Sequence, residues 1–200
     1  MTPDALPQMP WGQLFGLLFM TMGPIRAIAV FSRVGDDDAA PEVRALAARS
    51  AALVAGAFAL AVVIGTGALG TWGVSFPVLI GAGGVALFAL SLQALLNPGG
   101  SVPIDTDKTP AAEIAFPGLF PPIAVVVPLI FAVAFPGIET KLGILAMGLG
   151  LILVNWLLML RAKAILRAIG PVPLQLFGAV FGVLQLALAL QFIHDAVAML

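Results

Sequence analysis

The stretch "FMTMGPIRAIAVF", Phe19 to Phe31, decides how the chain is read. It is apolar on both sides, as a helix in lipid would be. Yet it holds Gly23 and Pro24 in its interior and Arg26 two residues later. A second stretch, "FPGLFPPIAVVVP" from Phe116 to Pro128, puts four prolines into another apolar run. Proline removes a helical donor and clashes with the preceding turn. In hydrocarbon an unpaired backbone group costs several kcal/mol, so a break is tolerated only where protein encloses it or it lines a cavity. The two stretches therefore predict two membrane helices broken at proline, both facing one cavity.

Composition points to the same environment. The chain has 200 residues, of which 61% are hydrophobic and 10% charged, and its mean hydropathy is +1.12. A soluble domain typically carries about 25% charged residues. This chain lacks the charge to cover itself with a water-facing surface, so the lipid bilayer is its expected partner. A net charge of −1 gives no reason to expect a nucleic-acid partner. Without cysteine there is no disulfide framework and no thiolate metal site, and a single histidine argues against an imidazole metal centre. No metal and no cofactor are expected. The opening "MTPDALPQMPW" has no basic region before its apolar run, so no cleaved signal peptide is expected and the first helix is retained. There is no Gly-x-Ser-x-Gly, no phosphate-binding Gly-rich loop with Lys, and no His-Glu-x-x-His, so the chain is not expected to be an enzyme.

A bilayer core of about 30 Å needs about 20 helical residues per crossing. Six runs qualify: Trp11–Arg33, Ala47–Leu69, Phe76–Leu96, Ile114–Phe135, Leu142–Leu160 and Leu174–Ile193. Between them lie "GDDDAAPEVR" at 35–44, "GTWGVSFP" with Trp72, "NPGGSVPIDTDKTP" at 97–110 and "RAKAILRAIGPVP" at 161–173, which are charged or rich in turn formers. The run Asp36-Asp37-Asp38 reads as a solvated loop and not as a metal site. The first, third and fifth connections carry Arg33, Arg44, Arg49, Lys108, Arg161, Lys163 and Arg167, against Lys141 alone on the other side. The positive-inside rule then puts those three loops in the cytoplasm and both termini outside.

An internal repeat organises the six runs. "GVALFALSLQ", Gly84 to Gln93, matches "GVLQLALALQ", Gly182 to Gln191, at an offset of 182 − 84 = 98 residues. The same offset carries Pro24-Ile25 onto Pro122-Ile123 and Gly23 onto Pro121. The expected single transmembrane domain, 1–200, then divides into a first repeat at about 11–97, a cytoplasmic linker at about 98–112 and a second repeat at about 113–195. Three spans per repeat is an odd number, so the second copy enters the membrane from the opposite side. The predicted fold is an all-α polytopic membrane protein of six transmembrane helices in two inverted three-helix repeats, an arrangement found in secondary transporters.

The whole chain resembles the MarC family of six-span bacterial membrane proteins, which includes transporters of small neutral amino acids. The resemblance rests on "GPIRAIAVF" at 23–31, "LIGAGGVALFALSLQALL" at 79–96 and "FGAVFGVLQLALALQFIHDAV" at 177–197. In that family the first span usually reads acid-Pro-x-Gly-Asn-x-Pro. Here Gly23 stands for the acid, Pro24 is kept, Arg26 replaces the glycine, Ala27 the asparagine and Ala29 the second proline. The family's two fourth-span prolines are matched by Pro117 and Pro121, while its Gly-Pro-Gly reads Val125-Val126-Val127. The resemblance implies a secondary transporter of a small solute, a small neutral amino acid, working by alternating access in the bacterial inner membrane. Coupling to a proton or cation, and association into a homo-oligomer, are compatible with that plan. The alternative is a non-transporting structural or regulatory membrane protein of the same fold, which the departures at Arg26, Ala27 and Val125–Val127 favour.

The candidate substrate-binding residues are Gly23, Pro24, Arg26, Pro121 and Pro122 at the breaks, with the repeat mates Gln93 and Gln191. Two roles fit Arg26. It lies roughly 8 Å inside the cytoplasmic boundary, at 1.5 Å per residue, so its stem can snorkel to the interface. Alternatively its guanidinium faces the cavity, where it pairs with a carboxylate or holds unwound carbonyls. Gln93 and Gln191 either bridge the broken helices or bond neighbouring helices. Asn155 is expected to bond between helices. Gly81, Gly83, Gly84, Gly178 and Gly182 are expected to pack them, and His194-Asp195 to sit at an exposed end.

Overall fold

The computed structural model describes residues 9–34, 40–96 and 110–200. Asp36–Asp38 and most of the linker expected at 98–112 lie outside the described residues. Among the described residues the chain is helical throughout, with no strand. The helices are α1 (Trp11–Met22), α2 (Pro24–Phe31), α3 (Pro41–Thr71), α4 (Phe76–Leu96), the short α5 (Ala111–Glu113), a π-helical segment (Ile114–Leu119), α6 (Ile123–Ala134), α7 (Ile138–Met159), α8 (Ala162–Ile169) and α9 (Pro171–Ala198).

Several ends and breaks obey one local rule. A residue before proline is pushed out of the α region, because the proline ring crowds its backbone. Gly23 before Pro24 has ψ 179°, Ala40 before Pro41 has ψ 133°, and Phe120 before Pro121 has φ −123° and ψ 83°. Phe116 before Pro117 is extended inside the π-helical segment, at φ −126° and ψ 123°. Phe135 before Pro136 ends α6. Prolines at the first helical positions of α2, α3 and α9 cost nothing, since those N–H groups have no helical partner.

Among the described residues, five helical stretches are long and apolar enough to cross a membrane: Trp11–Phe31, Pro41–Thr71, Phe76–Leu96, Ile138–Met159 and Gln175–Ala198. The run expected as a fourth span is instead the π-helical segment followed by the shorter apolar helix Ile123–Ala134. Pro117 and the Pro121-Pro122 pair divide it, so it holds no continuous spanning helix, whereas Pro128, expected to break the span too, lies inside α6 and does not break it. Other boundaries differ from expectation as well: the fifth span starts earlier, at Ile138, and the sixth ends later, at Ala198. The second span begins at Pro41, because Glu42 to Arg44 continue the helix beyond the apolar run. The fifth connection, expected as a loop, contains α8. Outward faces carry large apolar side chains such as Leu60, Val63, Val85 and Leu153, each more than half exposed. A surface of this kind fits hydrocarbon. Trp72, 76% exposed at the end of α3, suits the headgroup level.

Two helix pairs pack antiparallel and meet at glycines. The most extensive pair is α4 with α9. A Cβ on Gly81 would lie 3.2 Å from Ala196 Cβ, one on Gly84 2.8 Å from Ile193 Cγ1, and one on Gly182 3.0 Å from Leu95 Cδ2. As the number on one helix rises, its partner's falls, so the two run in opposite directions. In the same way α3 and α7 pair Phe58 with Gly148 and Thr66 with Lys141, whose Nζ donates to Thr66 Oγ1 at 2.8 Å. Gly178 has open space around it and is exposed, so of its pair only Gly182 packs within the chain. The fully buried centre, with Leu14, Leu18, Phe31, Phe58, Ile123 and Ile144, is drawn from both broken stretches and from α3 and α7.

Candidate functional site

The two breaks fall where proline chemistry requires them, and their halves pack crosswise. α1 packs against α6 and α2 against the π-helical segment, where Val30 comes within 3.9 Å of a Cβ built on Gly118. The breaks are therefore neighbours inside the bundle.

At the first break, two freed carbonyls can be followed to their partners. Pro24 has no N–H, so the carbonyl of Met20, four residues earlier, loses its helical donor. The Gln185 side-chain amide donates to that oxygen. Arg26 N–H turns to Gly23 O at 3.1 Å and leaves Met22 O free. Asn155 Nδ2 donates to Met22 O at 2.5 Å. Both amides come from the far half of the chain, Asn155 from α7 and Gln185 from α9. They are 5% and 8% exposed. Asn155 Oδ1 is buried and meets no donor among the described residues. Gly23 itself is fixed by a close approach: a Cβ there would overlap the Phe19 carbonyl oxygen. Thr21, also buried, donates back to Leu17 O at 2.8 Å.

The second break is built differently. Phe120 N–H reaches back five residues to Ala115 O at 2.9 Å, and Ala124 N–H closes on Pro121 O at 2.9 Å. Aromatic rings wrap it: Phe120 stands edge-on to Phe116 and to Phe58, with centroids 5.8 and 6.4 Å apart. Phe116, Phe120 and Pro122 line one wall of an open apolar cavity of about 640 Å³ between α6 and α3, with Ala57, Ile64 and Val125.

The sequence-predicted residues divide accordingly. Gly23 is buried at the first break, and Pro24 and Arg26 are half-buried beside it. Pro121 is buried and Pro122 exposed at the second. Gln93 and Gln191 are exposed, and Gln191 donates to Asp195 Oδ1 of its own helix at 2.7 Å. The amides that reach the first break are Asn155, expected to bond between helices, and Gln185, which sequence reading did not single out. A signal existed: a glutamine within an apolar span tends to hydrogen-bond across helices. The 98-residue offset drew attention elsewhere, because position 87, which it pairs with Gln185, is leucine. His194 is exposed, with Nδ1 3.4 Å from Asp195 Oδ1. No group of three or more potential metal-ligating side chains occurs among the described residues.

Apolar helices of spanning length around a break braced from within define a multi-pass α-helical integral membrane protein. The family model described as MarC family integral membrane protein matches residues 10–200. The chain belongs to the MarC family, as its opening, third-span and closing motifs implied. No curated protein and no solved structure matches it.

Proposed function

We propose that the chain is a secondary transporter of a small solute, a small neutral amino acid, working by alternating access of two inverted three-helix halves in a bacterial inner membrane. The observation that carries the reading is the pair of adjacent breaks, at Gly23 and at Pro121, separated by the repeat offset of 121 − 23 = 98 residues. Broken helices in symmetry-related positions are where such proteins bind solute, because unwound backbone offers both donors and acceptors.

Packing supports the inverted arrangement. Exchanging first with fourth span, second with fifth and third with sixth turns the contact of α3 with α6 into that of α7 with α2, and both occur. The contact of Gly84 with Ile193 becomes that of Gly182 with Leu95, and both occur. The opposed directions of α4 and α9 fit two crossings between them, which requires the π-helical segment and α6 together to traverse the bilayer. In this reading Asn155 Oδ1 is an acceptor for a solute N–H, and Arg26 faces the solute carboxylate. The reaction is transport and not catalysis, and both termini are periplasmic.

The test is uptake of labelled glycine or alanine into liposomes holding the purified chain. Saturable uptake, competed by unlabelled solute, is expected. Folded, monodisperse protein that moves no small neutral amino acid would favour the non-transporting alternative. Orientation is checked separately in this cysteine-free chain. An impermeant thiol reagent added outside should label Pro3→Cys and Met199→Cys but not Asp107→Cys; labelling of Asp107→Cys alone would invert the topology.

A further inference from the structure

The two halves differ at one end of the bundle. α3 runs unbroken for 31 residues to Thr71. Its counterpart at the 98-residue offset stops at Met159 and restarts as the eight-residue α8, Ala162–Ile169. The positions matching α8 in the first half, "IGTGALGT" from Ile64 to Thr71, carry no charge. Those of α8 itself read "AKAILRAI", preceded by Arg161.

Eight residues span about 12 Å, too short to cross a bilayer. α8 lies between the end of one spanning helix and the start of another, which fixes it at the membrane boundary. Its faces are segregated. Lys163 and Arg167, four residues apart, share one side, while Ala162, Ile165, Leu166 and Ile169 share the other. Ala162 is fully buried and Ile169 is 53% exposed. α8 packs against α2 and α9, and the exposed Arg33 follows the end of α2. Arg161 and Arg167 are exposed too. From Leu160 to Gln175 there is no acidic residue. Gly170, at φ 84°, turns the chain from α8 into α9 in a conformation that favours glycine.

We propose that α8 is a binding surface for anionic phospholipid headgroups. Arg161 and Arg167 meet the lipid phosphate and Ile169 lies beside the first carbons of the acyl chains. A short helix with a basic and an apolar side lies in the interfacial plane, where each near-surface cation strengthens attraction to anionic lipid. Arginine adds a fork of donors matched to phosphate oxygens. Because α8 touches α2, bound lipid bears directly on the half-helix that follows the first break. The proposal does not rest on the transport reading, and its test measures lipid and not solute.

The full chain in detergent is titrated with phosphatidylglycerol or with phosphatidylcholine, and retained lipid is counted by native mass spectrometry. Preference for phosphatidylglycerol is expected. R161Q/R167Q should weaken it about five-fold for each charge removed, and R161K/R167K should keep most of it. Equal retention of both lipids, no change in R161Q/R167Q, or competition by inorganic phosphate at matched ionic strength would overturn the proposal. A second measurement needs no charge variant. A fluorophore on Ala168→Cys, in vesicles of either lipid brominated near the headgroup, should be quenched more by the anionic one, and salt should relieve the difference. Equal quenching would overturn the proposal as well.

Discussion

The break at Gly23 and the break at Pro121 answer the same chemical problem in different ways. Each removes helical donors inside an apolar bundle. At the first, two side-chain amides from the other half of the chain replace the lost donors, Gln185 at Met20 O and Asn155 at Met22 O. At the second, the backbone closes a wider turn on itself and phenylalanine rings cover it. The positions matching the two amides in the first half are Ala57 and Leu87, and neither has a polar side-chain atom to offer. Breaks 98 residues apart are therefore held in different ways. The first break is locked to residues 133 and 165 positions away in the chain. The second is mostly a local structure.

The largest expected effect tests the backbone of each break. Gly23→Ala forces a Cβ onto the Phe19 carbonyl, a backbone clash that reaches or exceeds the upper end of the ~1–3 kcal/mol range for overpacking. Loss of monodisperse protein in size-exclusion chromatography is expected. Gly118→Ala meets only Val30 at ordinary distance and should stay within about 0.5 kcal/mol of the parent in thermal unfolding. Equal damage from both would remove the distinction between the breaks.

Arg26 comes next, and its expected effect is on function. Arg26→Ala should abolish solute uptake in liposomes while the protein remains folded, since it removes a charge that is costly in a bilayer. Arg26→Lys should keep part of the uptake, having lost the planar fork but not the charge. Uptake equal to the parent's in both variants would leave Arg26 as a snorkelling residue. An unfolded alanine variant would make its role structural.

A smaller effect belongs to the amides. Gln185→Leu and Asn155→Ala each leave a buried carbonyl without its donor, and each should lower stability by about 1–3 kcal/mol. The double variant should depart from additivity, because both bonds hold the same turn of chain. Additive losses measured by thermal melting would mean the two amides act as independent helix contacts. The smallest effect is expected at Gln191→Ala. Its partner Asp195 lies one turn on along the same exposed face, so a change of no more than about 0.5 kcal/mol is expected. A loss as large as that of Gln185→Leu would return the repeated glutamines to the candidate site.

Much of the fold was legible in particular residues. Pro24, Pro117, Pro121 and Pro122 marked the breaks, because the pre-proline restriction acts between chain neighbours. Gly81, Gly84 and Gly182 marked close helix contacts, and the tertiary structure adds which partner each one meets. Gln93 and Gln191 drew attention because they recur, yet recurrence in a sequence says nothing about which side of a helix faces inward. Gln185, six residues before Gln191, points into the bundle while Gln191 points out. The short α8 was hidden inside a segment whose charges and Gly-Pro end look like a loop, and its two-sided character emerges only once the eight residues are helical.

The sequence by itself determined that this chain resides in a membrane, where its helices break and that it belongs to the MarC family. Hydropathy, proline geometry and motif spacing are all properties of neighbouring residues, and they are set before the chain folds. Only the tertiary structure decided what satisfies the first break. Met20 O and Met22 O accept bonds from side chains on helices far along the chain. Which amide arrives there depends on the rotation and height of α7 and α9 against α1, which packing alone fixes.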